Sequence, residues 1–298
     1  MTAALLVLVA LGAAPASRQD VNERITNESR RIDSLINEVS KSDSAVRLGA
    51  IVGLGVAVRE SSSRYHAKQA VTALRHALAH DDVEDVREAA AEALGRIGLS
   101  SAVPTLRAAI AGRSEKVRIA ALEALGEIGS EARAAIPDLI RVLAEINGRD
   151  TLQAAAHAVG GIGASAAPPL LTALHERERR HDDSLFEGAV DALAAIGPPA
   201  LPTLRRALRV PGERSRAAAA ALMRIGIEAA PAVHDLVSAL ASRDPELRFR
   251  AAAALGRIGA DAASALPALG RLQTDANDKV RSAADQALNS IQTALKKF

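Results

Sequence analysis

The residues with the most chemical potential are a few histidines beside carboxylates. His76 and His80 stand four apart, which on a helix brings two imidazoles to one face, as a metal site requires. Asp81 and Asp82 follow at once, but no Cys or Glu completes a recognisable ligand set. His175-Glu176 and His181-Asp182-Asp183 repeat the combination once each. Two solvent-facing histidines at a helix end account for the first pair without a metal. No Ser, His and Asp fall in an arrangement that would make a nucleophile and its base. The Gly-x-x-Gly spacings follow no strand, so they do not form a phosphate-binding loop. The expectation is therefore no catalytic residue, no metal, no cofactor and no enzymatic activity.

Composition narrows the alternatives. The 298 residues are 49% hydrophobic and 24% charged with a net charge of +2, a globular balance with opposite charges interspersed. The chain has no Cys, which excludes disulfides, thiolate zinc sites, thiol nucleophiles and a cysteine-linked lipid anchor. Aromatics make up 1%: Tyr65, Phe186, Phe249 and Phe298, with no Trp. Single-stranded nucleic acid is usually held by aromatic stacking above a concentrated basic face. Neither ingredient is present, so no nucleic acid is expected as a partner. A core of Ala, Leu, Ile and Val implies helices packed closely at uniform spacing.

Residues 1–16 stand apart. Ala3 to Ala14 is an apolar run that closes with Ala14-Pro15-Ala16 before polar Ser17-Arg18-Gln19-Asp20. That is the apolar core and small-residue cleavage site of a signal peptide, lacking only the basic residue usually found ahead of it. The run is too short to span a bilayer, which takes about 20 residues. The expected location is the periplasm or outside the cell, or the cytoplasm if the segment is not a signal. No transmembrane segment is expected.

The elements that would position any site are written as a repeat. Leu-Gly-Arg-Ile-Gly occurs at Leu94 to Gly98 and again at Leu255 to Gly259. Variants begin at Leu125, Val159, Leu193 and Leu222, and weaker ones at Leu54 and Leu288, giving intervals of 40, 31, 34, 34, 29, 33 and 33 residues. Each phrase ends a helix. Val86, Ala90, Leu94 and Ile97 recur on one helical face, and a closing glycine such as Gly129 or Gly259 supplies the left-handed C′ position. Inside these helices Gly95, Gly126, Gly160 and Gly256 each cost about 1 kcal/mol against Ala, which implies close helix–helix approach. A preceding helix is announced by Pro104, Pro137, Pro169, Pro202, Pro231 or Pro267, a residue tolerated in a first turn. Two such helices cannot bury their own apolar faces, so the hairpins must stack.

The pattern Pro-x-Leu, then Asp244 to Arg248 as Asp-x-x-Leu-Arg, then Ala-Ala-x-Ala-Leu-Gly-x-Ile-Gly, resembles the short HEAT-like repeats of the phycobilisome-lyase type. The resemblance covers roughly residues 20 to 298. It implies an all-α class and an α-solenoid of about eight hairpins over 17–298, with boundaries near 17–59, 64–98, 99–129, 130–163, 164–197, 198–226, 227–259 and 260–298. It implies that the Arg opening each second helix (Arg47, Arg87, Arg118, Arg248, Arg281) pairs neighbouring hairpins. Leu152, Phe186 and Ser215 replace it in hairpins 4 to 6, which predicts irregular stacking there. HEAT-like iron hydroxylases distribute several His-Glu pairs over their repeats, whereas this chain has one. Val21 to Val39 is expected to cap hairpin 1.

The resemblance further implies that the second helices line a concave surface. The residue after the Arg position, and those four and eight further on, would face outward. These positions include Leu48, Val52 and Val56, then Glu88, Glu92, Arg96, Glu123, Glu127, His157, Glu187 and Asp191, then Arg216, Ala220, Arg224, Phe249 and Arg257. The stripe begins apolar, turns acidic and ends basic. It is the candidate protein-binding surface, and the expected function is a non-catalytic scaffold or adaptor. The alternatives are an enzyme or enzyme-accessory factor such as a bilin-lyase-like HEAT protein, and, more remotely, a nucleic-acid-binding relative. The partner and the oligomeric state are not specified by the residues.

Overall fold

The computed structural model describes residues 18–61, 63–145, 148–182 and 184–297. The expected signal segment, Asp183 and Phe298 lie outside them. The described residues form sixteen α-helices in eight consecutive pairs. Hairpin 1 is α1 (Arg18–Glu38) and α2 (Ser44–Glu60), and hairpin 2 is α3 (Arg64–His80) and α4 (Glu84–Ile97). Hairpins 3 and 4 are α5 (Val103–Ile110) with α6 (Glu115–Ile128), and α7 (Ile136–Ala144) with α8 (Arg149–Ile162). Hairpins 5 and 6 are α9 (Ala167–Glu178) with α10 (Phe186–Ile196), and α11 (Leu201–Leu208) with α12 (Glu213–Ile225). Hairpins 7 and 8 are α13 (Val233–Ala239) with α14 (Pro245–Ile258), and α15 (Leu266–Leu272) with α16 (Asp278–Leu295). The chain is an all-α solenoid. Contacts divide it into two blocks, Met1–Ile97 and Gly98–Phe298.

Within each block the second helices pack side by side, α2 on α4 in the first, and α6, α8, α10, α12, α14 and α16 in order in the second. The close approach implied by the interior glycines is present. A Cβ on Gly126 would lie 3.1 Å from Ala158 Cα, and one on Gly256 would lie 2.9 Å from Ala287 Cα. Gly129 closes α6 at φ +72°, where a side chain would be strained. Five of the six marker prolines stand in the first turn of an α-helix. Pro231 instead sits inside a short 3-10 turn ahead of α13.

Helix α1 is the first partner of α2 in an ordinary hairpin: the Leu35 side chain would lie 3.1 Å from a Cβ placed on Gly53. Val46 is 40% exposed although its equivalents Val86 and Val280 are buried. No described helix precedes α1 to cover that side of hairpin 1.

An arginine ladder, built from arginines opening second helices, ties hairpin 1 to hairpin 2 and hairpin 7 to hairpin 8, whereas Arg87 donates only to Asp81 O and Asp82 O of its own turn. Arg47 donates from Nε and Nη2 to Asp81 at 2.8 and 2.9 Å, and from Nη1 to the Ser42 carbonyl of its own turn at 2.9 Å. Arg248 does the same with Asp275 at 2.8 and 2.8 Å and with Ser242 O at 2.9 Å. One guanidinium thus closes its own turn and grips the next, using the planar fork that only Arg has.

The structure revises the expectation for hairpin 6. Ser215 is buried where the ladder Arg should stand, but Arg216, one residue later, reaches Asp244 at 2.6 Å and restores the rung. A carboxylate also caps this helix from the preceding hairpin: Glu178 accepts from the Glu213 N–H at 2.9 Å. In hairpin 4, Glu115 comes from α6 to Thr151 Oγ1 of α8 at 3.4 Å. Acids from the preceding hairpin therefore serve the helix N-termini of both hairpins, as expected from the positive end of the helix dipole.

Asp235 is the most enclosed of these acids, at 4% exposure, and takes Arg205 at 2.6 Å and Arg209 at 2.8 Å. Burial pushes its carboxyl up, but the hydrogen bonds and charges of the two arginines outweigh that and hold it below the ordinary 3.8. Asp81 is lowered against the same opposing burial by Arg47, and Asp275 is lowered first by its Arg248 hydrogen bond. A depressed carboxyl stabilises the fold above its unfolded pKa and loses that contribution as pH falls through the folded value. Thermal unfolding followed by circular dichroism is expected to be insensitive to these groups between pH 5 and 7, then to shift steeply downward below about pH 4. Asp235→Asn should begin from a lower Tm and show a shallower acid loss; an unchanged acid slope would remove Asp235 from this account.

Candidate functional site

The expected binding stripe occupies the outward face of the second helices, and the two blocks carry separate parts of it. On α4, Glu88, Glu92 and Arg96 are all half-buried, and Arg96 donates to Glu92 at 2.8 Å one turn away. Two of the three charges expected to face a partner are therefore already paired.

In the second block, Glu123 and Glu127 of α6, His157 of α8, and Glu187 and Asp191 of α10 are exposed. Between α8 and α10 lies a groove of about 770 Å³, lined by Arg149, Gln153 and His157 on one side and Glu187, Gly188 and Asp191 on the other. A Cβ on Gly188 would meet Leu143 O of α7 at 2.7 Å, so the glycine answers to the close packing of α10 on α7.

Arg224 of α12 changes the electrostatics expected from the sequence. It donates to Glu187 at 3.0 Å and also pairs with Asp191. The acidic middle and the basic end of the stripe are thus joined by an ion-pair clamp. Ala220, expected outward, is 1% exposed, on a helix packed between α10 and α14. Residues Ala217 to Ala221 of α12 are all buried.

A second crossing lies nearer the start of α12. The Arg250 guanidinium sits 5.0 Å over the Phe186 ring, joining α14 to α10, the two helices that flank α12. Arg250 also pairs with Glu246 at 2.7 Å. Phe186, which replaces a ladder Arg, thus takes a cation–π role. Sequence reasoning singled out neighbouring Phe249, which is half-buried, and missed Arg250. The signal that could have found it is Arg250 standing on an Ala-rich helix two hairpins from an isolated Phe. Arg216 lies in the ladder, held by Asp244, and Arg257 is exposed.

The stripe therefore divides into clamped and unclamped charges. Glu88, Glu123, His157 and Arg257 have no ion pair among the described residues. The His76 and His80 rings lie 4.9 Å apart, tilted, beside Asp81 and Asp82. Asp81 is committed to Arg47, and among the described residues no group of three or more His, Asp or Glu side chains is arranged to hold a metal. No described helix is long and apolar enough to cross a membrane.

The family model for HEAT repeats matches residues 32–113, 109–182 and 216–289. These segments cover more than half of the chain, which belongs to the HEAT-repeat family. No curated protein matches it. Among solved structures, a Kap121p mutant is similar at 12% identity with a TM-score of 0.54, over 90% of this chain and 35% of that one. The CpcE–CpcF complex of phycocyanin lyase from a Nostoc species is similar at 24% identity, TM-score 0.39, covering 87% of this chain and 94% of that one. Human deoxyhypusine hydroxylase in complex with glycerol is similar at 20% identity, TM-score 0.35, covering 90% and 98%. The likeness to the Kap121p mutant shows the fold alone.

Proposed function

We propose that this HEAT-repeat protein is a non-catalytic scaffold that binds a protein partner along the second-helix face of α6 to α14. The observation that carries the reading is the groove between α8 and α10. Its acids are paired with Arg224, while His157 in its wall, and Glu123 and Arg257 on the same face of α6 and α14, are exposed to a partner. Fixed, partly neutralised polar groups around a concave surface favour recognition: they supply specificity and orientation, and side-chain ordering costs are already met before binding. An acid–base catalyst would instead need a titratable group poised beside a reacting centre, whereas the two acids of the groove are engaged by Arg224.

The apolar run in residues 1–16 and its small-residue ending support, within the same proposal, a location outside the cytoplasm. The test is a pull-down with residues 17–298 from a cell-envelope fraction, compared with a variant carrying Glu123→Lys, Glu187→Lys and Asp191→Lys. A protein captured by the parent is expected to be lost at least about tenfold by the variant, with helicity unchanged. Capture that survives all three reversals would remove the groove from the proposal. Recovery of nucleic acid alone, or turnover of a bilin adduct, would replace the scaffold reading.

A further inference from the structure

The face of α2 turned away from its neighbours is apolar and bare. Val52 and Val56 are 44% and 45% exposed, Ala45 and Gly49 are exposed beside them, and a Cβ on Gly49 would meet nothing within 4 Å. These four positions are spaced 4, 3 and 4 apart, which is the seam spacing of two helices packed side by side. The opposite face of α2 is fully used, with Ile51, Leu54 and Val58 buried in hairpins 1 and 2. Two exposed valines with Ala45 and Gly49 form a seam without a partner among the described residues.

The order of sizes along the seam says what fits it. Packed antiparallel on a second copy, about a centre between Ala50 and Ile51, Ala45 would face Val56 and Gly49 would face Val52. Every layer then pairs a small residue with a large one. Parallel packing would instead set Gly49 on Gly49 at one level, leaving a gap there that the antiparallel order fills with Val52. Charge agrees with the antiparallel order. The turn leading into α2 carries exposed Lys41 and the N-cap Asp43, and the C-terminal end of α2 carries exposed Arg59 and Glu60. Antiparallel pairing brings Glu60 to Lys41 and Arg59 to Asp43 and opposes the two helix dipoles. Parallel pairing brings each of these charges to its own kind.

We infer that the α2 face is an interface with a second copy of this chain, a two-fold antiparallel α2–α2 contact. It is independent of the groove between α8 and α10. A single helix pair buries little area, so the association is weak and should be sought from about 1 µM to about 1 mM.

Sedimentation velocity on the full chain should show a concentration-dependent monomer–dimer equilibrium. Val52→Asp and Val56→Asp place a charge in the seam and should each weaken it at least tenfold, an estimate on the order seen for buried interface residues. Both positions are exposed in the monomer, so helicity should not change. Lys41→Glu and Glu60→Lys should each weaken association about threefold, and the chain carrying both should recover it. Because the chain has no cysteine, orientation can be read directly. Ala45→Cys with Val56→Cys should give a disulfide-linked dimer on mild oxidation, while Ala45→Cys alone should not. Positions 45 and 56 are about 16 Å apart along one helix, too far to link within it. A monomer throughout the concentration range overturns the inference, whether the face is bare or covered by residues 1–17. So does a dimer indifferent to Val52→Asp and Val56→Asp, or one linked equally well by Ala45→Cys alone.

Discussion

Gly161→Ala is expected to destabilise the second block by about 2 kcal/mol, even though alanine is the better helix former and Gly161 is solvent-exposed. Replacing a helical Gly by Ala ordinarily gains up to about 1 kcal/mol. Here the added Cβ would stand 2.3 Å from Gly126 O, 2.8 Å from its carbonyl carbon and 2.9 Å from its Cα. All three atoms are backbone of α6, so no rotamer change relieves the contact. Helices α6 and α8 would have to separate, and their neighbours pack on both. Overpacking of this kind costs about 1–3 kcal/mol beyond any propensity gain, and for a block of this size the expected fall in Tm is about 4–8 °C. Gly270→Ala is the internal control. It is also helical, but its Cβ would meet nothing within 4 Å, so it should stabilise by about 0.5 kcal/mol. Urea unfolding of the two variants should move in opposite directions. A stabilising Gly161→Ala would mean that α6 and α8 do not approach this closely in solution.

Arg248→Ala is expected to cost about 2 kcal/mol and to act beyond its own hairpin. Its guanidinium is 15% exposed and Asp275 is 8% exposed, with both carboxylate oxygens engaged at 2.8 Å. Truncation leaves Asp275 with its Asn277 N–H at 2.9 Å and the weaker influence of the Arg281 charge, and it opens the turn held through Ser242 O. A fully buried pair broken on one side costs about 3–5 kcal/mol; residual solvent contact at this edge brings the expectation down. Arg248→Lys should recover less than half, because an ammonium cannot span both carboxylate oxygens and the carbonyl at once. Hydrogen exchange is the sharper measurement. Protection should fall in the α15–α16 hairpin as well as in α14, since the rung joins hairpins 7 and 8. Exchange confined to α14 would reduce Arg248 to a local turn clasp.

Much of this architecture is legible in the residues because each hairpin repeats the same local decisions. Leu94 and Leu255 are buried where the helical face places them, Gly129 and Gly259 end their helices with positive φ, and Pro104 or Pro202 opens the next. The glycines inside the second helices give the spacing, since a residue that weakens a helix recurs only where a neighbour's backbone needs the room. The apolar character of Leu48, Val52 and Val56 was also plain from the outward register.

The candidate site was less legible, for a reason that its own residues show. Whether Glu187 and Asp191 present charge to a partner depends on Arg224, which lies more than thirty residues away and meets them only after two hairpins stack. Ala220 is 1% exposed although its register places it outward, because α12 packs between α10 and α14. Arg216 took the ladder position left by Ser215 through a one-residue shift that a fixed register cannot anticipate. Local sequence determined the helices, their ends and the hairpin repeat, because propensity, capping and apolar period act within a few residues. Only the tertiary structure decided which charges are clamped, which alanines are covered and which valines are left bare, because those outcomes depend on side chains brought together by stacking.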